Sequence, residues 1–460
     1  MSGNQPQRFD SAVLAEWVSG AAQSLPATFC GVTQDSRRVT PGCLYVALRG
    51  ERFDGHDFVA QALRDGAAAA LVDASWQAPA DAGSWPLICV TDTRRALADA
   101  ARAWRLQQRA LIVGITGSSG KTTTKEMAAA LLAGGGRVCA TRGNLNNEIG
   151  LPLSLLELSP DAAFGVFELG TNHPGEIAQL ADVLRPQGAI IASVGSAHIE
   201  HFGSQDAIAR EKGALLQALP PDGFAVLCKE TMCFATLAKM SRAPVVTTSL
   251  VGDADFCGEV IEPCSGMMRV IERATGQQTV LDSGLPGIHN ASNLLLAFAA
   301  ARTAGISAEA AAGALRDFAL PGMRWDVSER DGVTVVNDAY NANPQSMVAA
   351  LETFMRMPCR ARRIVVLGDM FELGGHAEVL HREVGRCVAN LSPDGLIAVG
   401  ECAGRYLADE AVRCGFLSER VTVVADALAA ADVMRGMMKD GDSVLLKASR
   451  GMGLERILNA

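Results

Sequence analysis

The segment from Gly114 to Met127, GITGSSGKTTTKEM, combines residue types that could bind the phosphates of a nucleotide. It departs from the strict pattern G-x-x-x-x-G-K-[ST], because Ile115 stands five residues before Gly120, where the first glycine is expected. The apolar run before the loop predicts a buried strand, and residues 124–132 predict a helix. A glycine-rich turn in this position presents backbone N–H groups and the positive end of a helix dipole to phosphate.

The residues of this loop have distinct predicted roles. Gly117 makes the tight turn, Lys121 brings a full positive charge to the outer phosphates, and Thr122 offers its hydroxyl to magnesium. The residues expected to contact the nucleotide are Gly117, Ser118, Ser119, Gly120, Lys121, Thr122 and Thr123. The alternative is a plain turn with a helix N-cap, which the coincidence of strand, glycine turn, Gly-Lys-Thr and helix disfavours.

Acidic and histidine side chains follow two later apolar runs. Glu168 ends the run in FELGTNHPGEI, where a carboxylate could ligate or support magnesium, although such a glutamate is as often a solvated cap. His198 and His201 lie just beyond the run in ASVGSAHIEHFGS. Ligands of parallel sheets bind at the carboxyl ends of the strands, so these side chains are expected near the phosphate loop. Histidine is an unusual magnesium ligand, which makes the two histidines alone a weak signal.

Other candidate residues lie later in the chain. Lys212 lies in the predicted helix AIAREKGALLQAL, and its position alone favours a solvent-facing side chain. Arg324 in PGMRWDV could reach a transferring phosphoryl group, and Asp338 in NDAYNANPQSM follows a strand as ribose-binding carboxylates often do. Asn343 and Pro344 are typical of the N-cap and first position of a helix.

The length of the chain predicts about three domains of about 150 residues each. Residues 1–108 mix strand-like runs with alanine-rich helices and predict an α/β domain. Residues 109–318 alternate strands and helices, which predicts a mainly parallel sheet of the P-loop ATPase type with a small antiparallel insertion at 253–284. Residues 319–460 contain four strand–helix crossovers and predict a Rossmann-like domain. The predicted fold class is therefore α/β in three domains.

The composition disfavours several classes of protein. A formal net charge of −9, without a Lys/Arg-rich run, argues against a nucleic-acid partner. The twelve cysteines show neither C-x-x-C pairs nor zinc-finger spacing, and we expect them to be reduced. The polar start MSGNQPQRFD and the lack of 18 consecutive apolar residues predict a cytoplasmic protein with no signal peptide and no membrane span.

Together these segments resemble the Mur ligase family, the ATP-dependent amino-acid ligases of peptidoglycan precursor synthesis. The similarity covers essentially the whole chain and rests on TGSSGKTT, FELG, SAHIEHFGS, REKGALL, GIHNASNLLLA, GMRW and NDAYNANP, in the family's order. The family typically lacks the first glycine of the strict loop pattern, which accounts for Ile115. The N-terminal segment TQDSRRVTPGCLYVALRGERFDGHDF is similar to a uridine-nucleotide-binding domain of the family.

Four segments are most similar to the family member that adds a terminal dipeptide, namely GNLNNEIGLPLSLL, ELGTNHPGEI, NDAYNANPQSM and VLGDMFELG. The resemblance implies ATP-dependent ligation of D-alanyl-D-alanine to UDP-N-acetylmuramoyl-tripeptide (UDP-MurNAc-tripeptide) through an acyl phosphate, with release of ADP and phosphate. It also implies an N-terminal domain for the UDP-sugar-peptide, a central ATPase, and a C-terminal domain that closes over ATP and helps bind the dipeptide. ATP, two magnesium ions and a monomeric enzyme are expected.

The resemblance carries roles onto matching positions of this sequence. Catalytic roles are implied for Lys121, His198, Lys212 and Arg324. Metal ligands are implied at Thr122 and Glu168 for one magnesium ion, and at His198 and a carbamylated Lys212 for the second. Contacts to adenine, phosphates and ribose are implied for Asn290, Arg324 and Asp338, respectively.

Substrate contacts are expected in three segments. The resemblance implies a uridine contact for Ser36 and Arg37 in the DSR motif. Asn146 and Asn147 of GNLNNEIG are also assigned to substrate binding. In LLKASRGMGLERI the candidates for dipeptide binding are Lys447, Ser449 and Arg450. They follow a strand at the expected cleft, but a surface loop without function is a fair alternative.

Two other functional classes remain open at the level of sequence. A tripeptide-forming or folylpolyglutamate-type ligase would share the central domain, although the uridine-binding-like N-terminal segment argues against the folate enzyme. A P-loop switch or motor would hydrolyse ATP without forming a peptide bond, and no D-x-x-G-type switch segment stands out after Glu168. The third residue of the stem peptide, lysine or meso-diaminopimelate, also stays open.

Overall fold

The computed structural model describes residues 7–80, 82–316 and 318–459 and arranges the strands of these residues in four sheets. The N-terminal region contains the strands Arg8–Asp10 (β1), Ala21–Gln23 (β2), Thr28–Cys30 (β3), Val32–Thr33 (β4), Leu44–Val46 (β5), Ala69–Asp73 (β6) and Leu87–Val90 (β7). Its helices are Ser11–Trp17 (α1), Val59–Arg64 (α2) and Thr93–Gln107 (α3). One sheet has the order β2-β7-β6-β5-β4 with β2 antiparallel, and β1 pairs with β3.

The central region forms a nine-stranded sheet. Its strands are Leu111–Thr116 (β8), Val138–Ala140 (β9), Phe164–Glu168 (β10), Gly188–Ile191 (β11), Phe224–Cys228 (β12), Val245–Ser249 (β13), Phe256–Glu262 (β14), Met267–Glu272 (β15) and Gln278–Asp282 (β16). Its helices are Lys121–Leu132 (α4), Gly150–Leu156 (α5), Glu176–Leu184 (α6), Ile199–Phe202 (α7), Gln205–Gln217 (α8), Phe234–Met240 (α9), Ile288–Thr303 (α10) and Ala308–Ala314 (α11).

The strand order of this sheet is β16-β15-β14-β13-β12-β11-β8-β10-β9. Strands β8 to β14 are parallel, and β15 and β16 continue the same sheet in antiparallel pairs. The antiparallel segment predicted at 253–284 is therefore an extension of one edge of the sheet.

The C-terminal region forms a six-stranded sheet in the order β17-β18-β22-β19-β20-β21. Its strands are Asp326–Arg330 (β17), Val333–Asn337 (β18), Arg363–Gly368 (β19), Gly395–Val399 (β20), Val421–Val424 (β21) and Ser443–Lys447 (β22). Its helices are Pro344–Arg356 (α12), Ala377–Leu391 (α13), Asp409–Arg413 (α14), which follows a π-helical segment at Ala403–Ala408, and Ala427–Met437 (α15). Only β17 is antiparallel to its neighbour. The predicted fold class, with a parallel central sheet and a Rossmann-like C-terminal sheet, is confirmed.

Short 3₁₀ turns connect several of these elements. They span Ser36–Arg38, Gly55–Phe58, Ala82–Ser84, Ala133–Gly135, Gly374–His376, Ser418–Arg420, Arg450–Met452 and Leu454–Asn459. Across the described residues, each helix is too short or too polar to cross a membrane.

Helices cover both faces of the central sheet, which explains why its strands are apolar without alternation. All five residues of β10 are buried. One face packs against α4 and α10, and the other face packs against α5, α6 and α8 together with α3 of the N-terminal region. Trp104 Nε1 donates to the carbonyl of Leu158 at 3.0 Å, and Arg105 Nε donates to that of Leu184 at 3.1 Å, which attaches α3 to the central region.

The strand ends determine where a ligand can bind. Strands β8, β10 and β11 end at one edge of the central sheet, and β18, β19 and β22 end at one edge of the C-terminal sheet. The loops that follow these strands line opposite walls of one cavity. Ligands of open α/β sheets bind outside the carboxyl ends of the strands, so this cavity is the candidate site.

Candidate active site

A cavity of about 1350 Å³ lies at these strand ends, between all three regions of the chain. Most of the predicted site residues line it, namely Ser118, Ser119, Gly120, Lys121, Thr122, Thr123, Asn146, Asn147, Glu168, His198, Asn290, Arg324, Asp338, Lys447, Ser449 and Arg450. The predicted residues outside its lining are Ser36, Arg37, Gly117 and Lys212. The N-terminal region contributes Glu51 and Arg94 to the wall.

The glycine-rich turn leads into α4 as the sequence predicts, but the helix begins at Lys121 and not at residue 124. Gly120 has a φ of +78°, and a Cβ atom there would lie 2.6 Å from Oδ1 of Asn293, so only glycine fits. The N–H of Thr124 donates to the carbonyl of Gly120 at 2.8 Å. The amides of residues 121–123 precede this first helical bond and point out of the helix end, where they can bind phosphate.

The turn is held by the segment that follows β11. The N–H of Ser118 donates to the carbonyl of Ser193 at 2.9 Å, and the N–H of Ser119 donates to Oγ of Ser193 at 2.9 Å. The N–H of Gly195 donates in return to Oγ of Ser118 at 2.9 Å. A Cβ atom on Gly117 would lie 3.0 Å from the nitrogen of Ser193. Gly117 thus permits a close approach of two backbones, which supports its predicted role in the tight turn.

Lys121 folds back over the turn that it follows. Its Nζ donates to the carbonyl of Gly117 at 2.9 Å. Desolvation lowers the pKa of Lys121, the charge of Glu168 acts in the opposite direction, and that of Arg324 lowers the pKa further. A bound phosphate would restore the preference of Lys121 for the charged form, because it adds negative charge beside the amine.

The carboxylate of Glu168 lies beside the turn and accepts a hydrogen bond on each of its two oxygens. Oγ1 of Thr122 donates to Oε2 of Glu168 at 2.7 Å, and Nδ2 of Asn146 donates to Oε1 of Glu168 at 2.7 Å. The N–H of Glu168 donates to Oγ1 of Thr141 at 3.0 Å, and Glu168 is buried. A hydroxyl and a carboxylate in contact are the hard oxygen donors that magnesium prefers, so these residues fit the predicted first metal site.

Three histidines of the central region surround a carboxylate of the C-terminal region. His198, at the N-terminal end of α7, has a φ of +58°, and its Nδ1 is paired with Oε2 of Glu372. The rings of His173 and His201 lie 4.6 Å apart. The hydrogen bond from His198 and the charges of His201 and His173 lower the pKa of Glu372. Glu372 lies in VLGDMFELG but was not singled out from the sequence, although it follows the end of β19.

Lys212 is buried, so the expectation of a solvent-facing side chain is wrong. The reason is that α8 is covered by α6, α9 and the sheet, and its polar residues cannot all reach solvent. Burial, together with the charge of Lys121, lowers the pKa of Lys212 to about 7, against the effect of Glu211. The Glu211 carboxylate accepts the N–H groups of Gly175 at 2.7 Å and Ile177 at 2.8 Å. Sequence reasoning missed Glu211, which stands next to the lysine.

The C-terminal wall of the cavity carries stacked and paired cations. The guanidinium of Arg324 lies 3.8 Å from the ring centroid of Tyr340. Asp338 accepts the N–H of Trp325 at 3.2 Å and Nζ of Lys447 at 2.6 Å. The predicted ribose carboxylate and the predicted dipeptide lysine therefore form one ion pair, in which Lys447 is buried and Asp338 is partly buried.

The amide of Asn290 is anchored at the start of α10. Its Nδ2 donates to the carbonyl of Pro286 at 2.8 Å. The neighbouring His289 stands 6.4 Å from Trp325, ring to ring, and desolvation lowers its pKa to about 4. The wall beside Asn290 is thus a neutral aromatic surface, as a nucleobase requires.

The two regions on either side of the cavity touch at the start of α12. Asn343 is the N-cap and Pro344 the first residue of this helix, as the sequence predicts. Nδ2 of Asn343 donates to the carbonyl of Ser118 at 3.3 Å. Gln345 donates to Oγ of Ser196 at 3.2 Å and accepts its N–H at 3.3 Å. The C-terminal region therefore contacts the phosphate-binding turn directly.

The predicted uridine contacts lie apart from the cavity lining. Ser36 begins the 3₁₀ turn Ser36–Arg38, and the side chain of Arg37 is 86% exposed. The guanidinium of Arg37 is held by Asp35 at 2.9 Å, which lowers the pKa of that carboxyl. Asn147 lines the cavity but also caps a turn, because its Oδ1 accepts the N–H of Gly150 at 2.8 Å.

Three protein-family models match this chain. The "Mur ligase middle domain" matches residues 115–301, the "Mur ligase, glutamate ligase domain" residues 323–450, and the "Mur ligase family, catalytic domain" residues 28–105. The chain is also 35% identical over 451 residues to the Escherichia coli (strain K12) protein named UDP-N-acetylmuramoyl-tripeptide–D-alanyl-D-alanine ligase, with 97% of each chain covered. The chain belongs to the Mur ligase family.

Solved structures of Mur ligases extend the similarity to the whole fold. A crystal structure of MurF from Acinetobacter baumannii is 29% identical, has a TM-score of 0.88, and matches over 99% of both chains. The crystal structure of MurF from Thermotoga maritima in complex with ADP is also 29% identical, with a TM-score of 0.79 and coverage of 93% of this chain and 96% of that one. This Mur ligase therefore shares the three-part architecture of those structures.

Proposed function

We propose that this Mur ligase joins D-alanyl-D-alanine to UDP-MurNAc-tripeptide with conversion of ATP to ADP and phosphate. One observation carries the proposal: a phosphate-binding turn with a paired hydroxyl and carboxylate, Thr122 and Glu168, faces His198 and the C-terminal cations across one cavity. The choice of substrates follows the name of the Escherichia coli relative. The ADP complex of the Thermotoga maritima relative supports adenine-nucleotide binding at this turn.

The first step activates a carboxylate. The stem-peptide carboxylate is a poor electrophile, because its charge repels a nucleophile and its oxygen leaves poorly. Attack of this carboxylate on the γ-phosphoryl group of ATP releases ADP and leaves an acyl phosphate. The ammonium of Lys121 and the guanidinium of Arg324 stabilise the charge on the transferring phosphoryl oxygens, as the cations of other P-loop enzymes do.

We also propose two magnesium sites. Magnesium, when bound, neutralises charge on the phosphate oxygens and orients them for transfer. The hydroxyl of Thr122 and the carboxylate of Glu168 would hold the first ion, and His198 with Lys212 would hold the second. Asn146 keeps the Glu168 carboxylate oriented through its hydrogen bond of 2.7 Å.

Carbamylation would turn Lys212 into an oxygen ligand. An amine reacts with carbon dioxide only in its neutral form, and a pKa of about 7 makes that form abundant near neutral pH. The carbamate carries a negative charge, which the neighbouring Lys121 would favour. Intact-mass analysis under bicarbonate at neutral pH tests this proposal, because a carbamate formed from carbon dioxide adds about 44 mass units while an unmodified lysine adds nothing.

The second step forms the peptide bond. The amine of the dipeptide attacks the acyl phosphate, and the tetrahedral intermediate expels phosphate. Because the covalent intermediate forms on the substrate, the enzyme needs no nucleophilic serine or cysteine. The contacts of Asn343 with Ser118 and of Gln345 with Ser196 close the cavity and limit access of water to the acyl phosphate.

The proposal also assigns a task to each of the three regions of the chain. Residues 1–108 would bind the uridine nucleotide through Ser36 and Arg37, and residues 109–318 and 319–460 would act as the ATPase and ligase domains. We further propose a monomer that works in the cytoplasm, where ATP and UDP-linked precursors are available.

Phosphate release from ATP tests the function. We expect release to require UDP-MurNAc-tripeptide and D-alanyl-D-alanine together, with the ligated product identified by mass. Release that is independent of both substrates would indicate a P-loop switch or motor. Release with a folate and glutamate instead would indicate the folylpolyglutamate-type ligase.

A further inference from the structure

Two strand-end segments of the C-terminal region form one continuous surface on the cavity wall. Strands β19 and β22 are parallel neighbours, with Leu367 opposite Lys447. Beyond them, the N–H of Phe371 donates to Oγ of Ser449 at 2.8 Å. The ring of Phe371 covers Gly451, where a Cβ atom would lie 2.7 Å from Cε2 of the ring. The segments after both strands are therefore held together by hydrogen bonding and by packing.

This surface carries an acid, an apolar ring and a base. The side chains of Glu372 and Arg450 are 47% and 51% exposed, and Phe371 is 47% exposed. All three residues line the cavity. The guanidinium of Arg450 also donates to Glu455 at 3.0 Å. A free dipeptide with two methyl side chains has matching chemistry: an ammonium at one end, a carboxylate at the other and small apolar groups between them.

The backbone at Glu372 adds an independent observation. Its φ is +61°, in the left-handed region that glycine and asparagine tolerate far better than glutamate. Non-glycine residues in this conformation are uncommon, and they cluster at functional sites. The carboxylate of Glu372 is paired with His198, which precedes α7 in the segment after β11.

We propose that Glu372 binds the ammonium group of the incoming dipeptide, with Phe371 beneath its methyl groups and Arg450 at its carboxylate. This inference rests on the proposed function, because it assigns a subsite of that reaction. Glu372 places the ammonium group beside His198 and thus near the acyl phosphate, which the amine attacks after it has released its proton to solvent. Glu372 is a substrate-binding residue in this account, and the bond to His198 is exchanged for the bond to the ammonium group.

The competing explanation is that Glu372 only positions His198. The two explanations differ in the step that they affect. Formation of the acyl phosphate needs no dipeptide and can be followed alone, as isotope exchange between ADP and ATP that depends on UDP-MurNAc-tripeptide. Loss of an ammonium subsite leaves this exchange intact, whereas misplacement of His198 slows it.

The test uses Glu372→Gln in the full chain, which keeps the size of the side chain and removes its charge. We expect the KM for D-alanyl-D-alanine to rise about 10- to 100-fold, with the KM for ATP and the isotope exchange unchanged. Glu378→Gln is the matched control, because Glu378 pairs with Arg382 outside the cavity lining. Its KM for the dipeptide should equal that of the wild type.

An analogue separates recognition of the ammonium from other effects. D-lactoyl-D-alanine carries a hydroxyl in place of the ammonium and serves as a competitive inhibitor. We expect Glu372→Gln to weaken binding of the dipeptide but not of this analogue. Equal weakening of both, or slower isotope exchange with an unchanged dipeptide KM, would overturn the proposal. A wild-type enzyme that exchanges label but does not ligate the dipeptide would instead refute the proposed function.

Discussion

The two walls of the cavity are built differently. On the central wall, the side chains of Ser118, Thr122 and Glu168 are bonded to neighbours within the same region, and these residues are buried. On the C-terminal wall, Glu372 and Arg450 are half-exposed, and the partner of Glu372 lies across the cavity. A site bonded within one region is preorganised for its ligand, whereas a site bonded across regions is complete only when the regions meet.

From this difference we expect the central wall to serve phosphoryl transfer and the C-terminal wall to serve binding of the acceptor dipeptide. Substitutions on the central wall should lower turnover at any substrate concentration, because charge stabilisation in the transition state is lost. Substitutions on the C-terminal wall should act mainly through KM. Four experiments test this difference between the walls, and they follow in order of decreasing expected effect.

The largest effect is expected for Lys121→Ala. Removal of the charge that faces the transferring phosphoryl group should lower turnover by about 10²- to 10³-fold. The melting temperature should stay close to that of the wild type, since Lys121 makes a single hydrogen bond to the turn. Lys239→Ala, at an exposed position of α9, is the control and should be fully active. Near-normal activity of the first variant would remove Lys121 from the phosphate site.

A smaller loss of activity is expected for Lys212→Ala. If a carbamate on Lys212 holds metal, the variant should lose about 10- to 100-fold in activity, as is typical when the ligands around a metal are altered. Removal of dissolved carbon dioxide should slow the wild type reversibly and leave the variant unaffected. Activity assays with and without bicarbonate measure both effects. A wild type that is insensitive to bicarbonate contradicts carbamylation.

The same lysine predicts a pH dependence of stability. Burial lowers the pKa of Lys212 from 10.5 to about 7, so between these values the unfolded chain binds more protons than the folded one. The free energy of unfolding should therefore rise with pH in this window, by at most about 1.4 kcal/mol per pH unit. Below about pH 7 both states are protonated, and the slope from this group disappears.

Comparison with Lys212→Met isolates this contribution. Denaturant titrations without carbon dioxide, from about pH 6 to 10, give the free energy of unfolding of both proteins. The stability of the wild type relative to the variant should increase with pH above about 7. If the difference in free energy of unfolding between the two proteins is independent of pH, folding does not lower the pKa of Lys212, and the prediction is wrong.

The smallest effect is expected for Gln345→Ala. The variant removes the hydrogen bonds to Ser196 that join the two walls, and one such neutral bond contributes about a two- to tenfold change in affinity. We expect the KM for ATP or dipeptide to rise by this factor while turnover at saturation is nearly kept. Gln277→Ala, whose amide bonds to Glu309 on the far edge, is the control. A large loss of turnover would show that the contact between the two walls is needed for the chemical steps and not only for substrate binding.

Local signals predicted the parts of the site that lie on one strand–turn–helix unit. The turn before Lys121, the strand-end position of Glu168 and the N-cap Asn343 were all recognised from neighbouring residue types. These features depend on hydrogen bonds between residues a few positions apart, which composition and spacing describe directly.

Contacts between residues that are far apart in the sequence could not be predicted from short sequence patterns. Ser193 holds the phosphate-binding turn from another strand, and Glu372 reaches His198 from another sheet. The position of Lys212 was predicted wrongly for the same reason, because only the packing of α6 and α9 around α8 buries it. The strand-end rule that identified Glu168 would also have indicated Glu372, which lies four residues beyond the end of β19.

The sequence by itself determined the α/β class, the nucleotide loop and, through its ordered motifs, the resemblance to the Mur ligase family. These follow from local periodicity and from short segments that need no partner. Only the folded structure shows which charged groups lie close together. Lys447 pairs with Asp338 and Glu372 pairs with His198, whereas the charge of Lys121 acts on the buried Lys212. The energies of such pairs depend on distance and burial, and neither quantity is set by position along the chain.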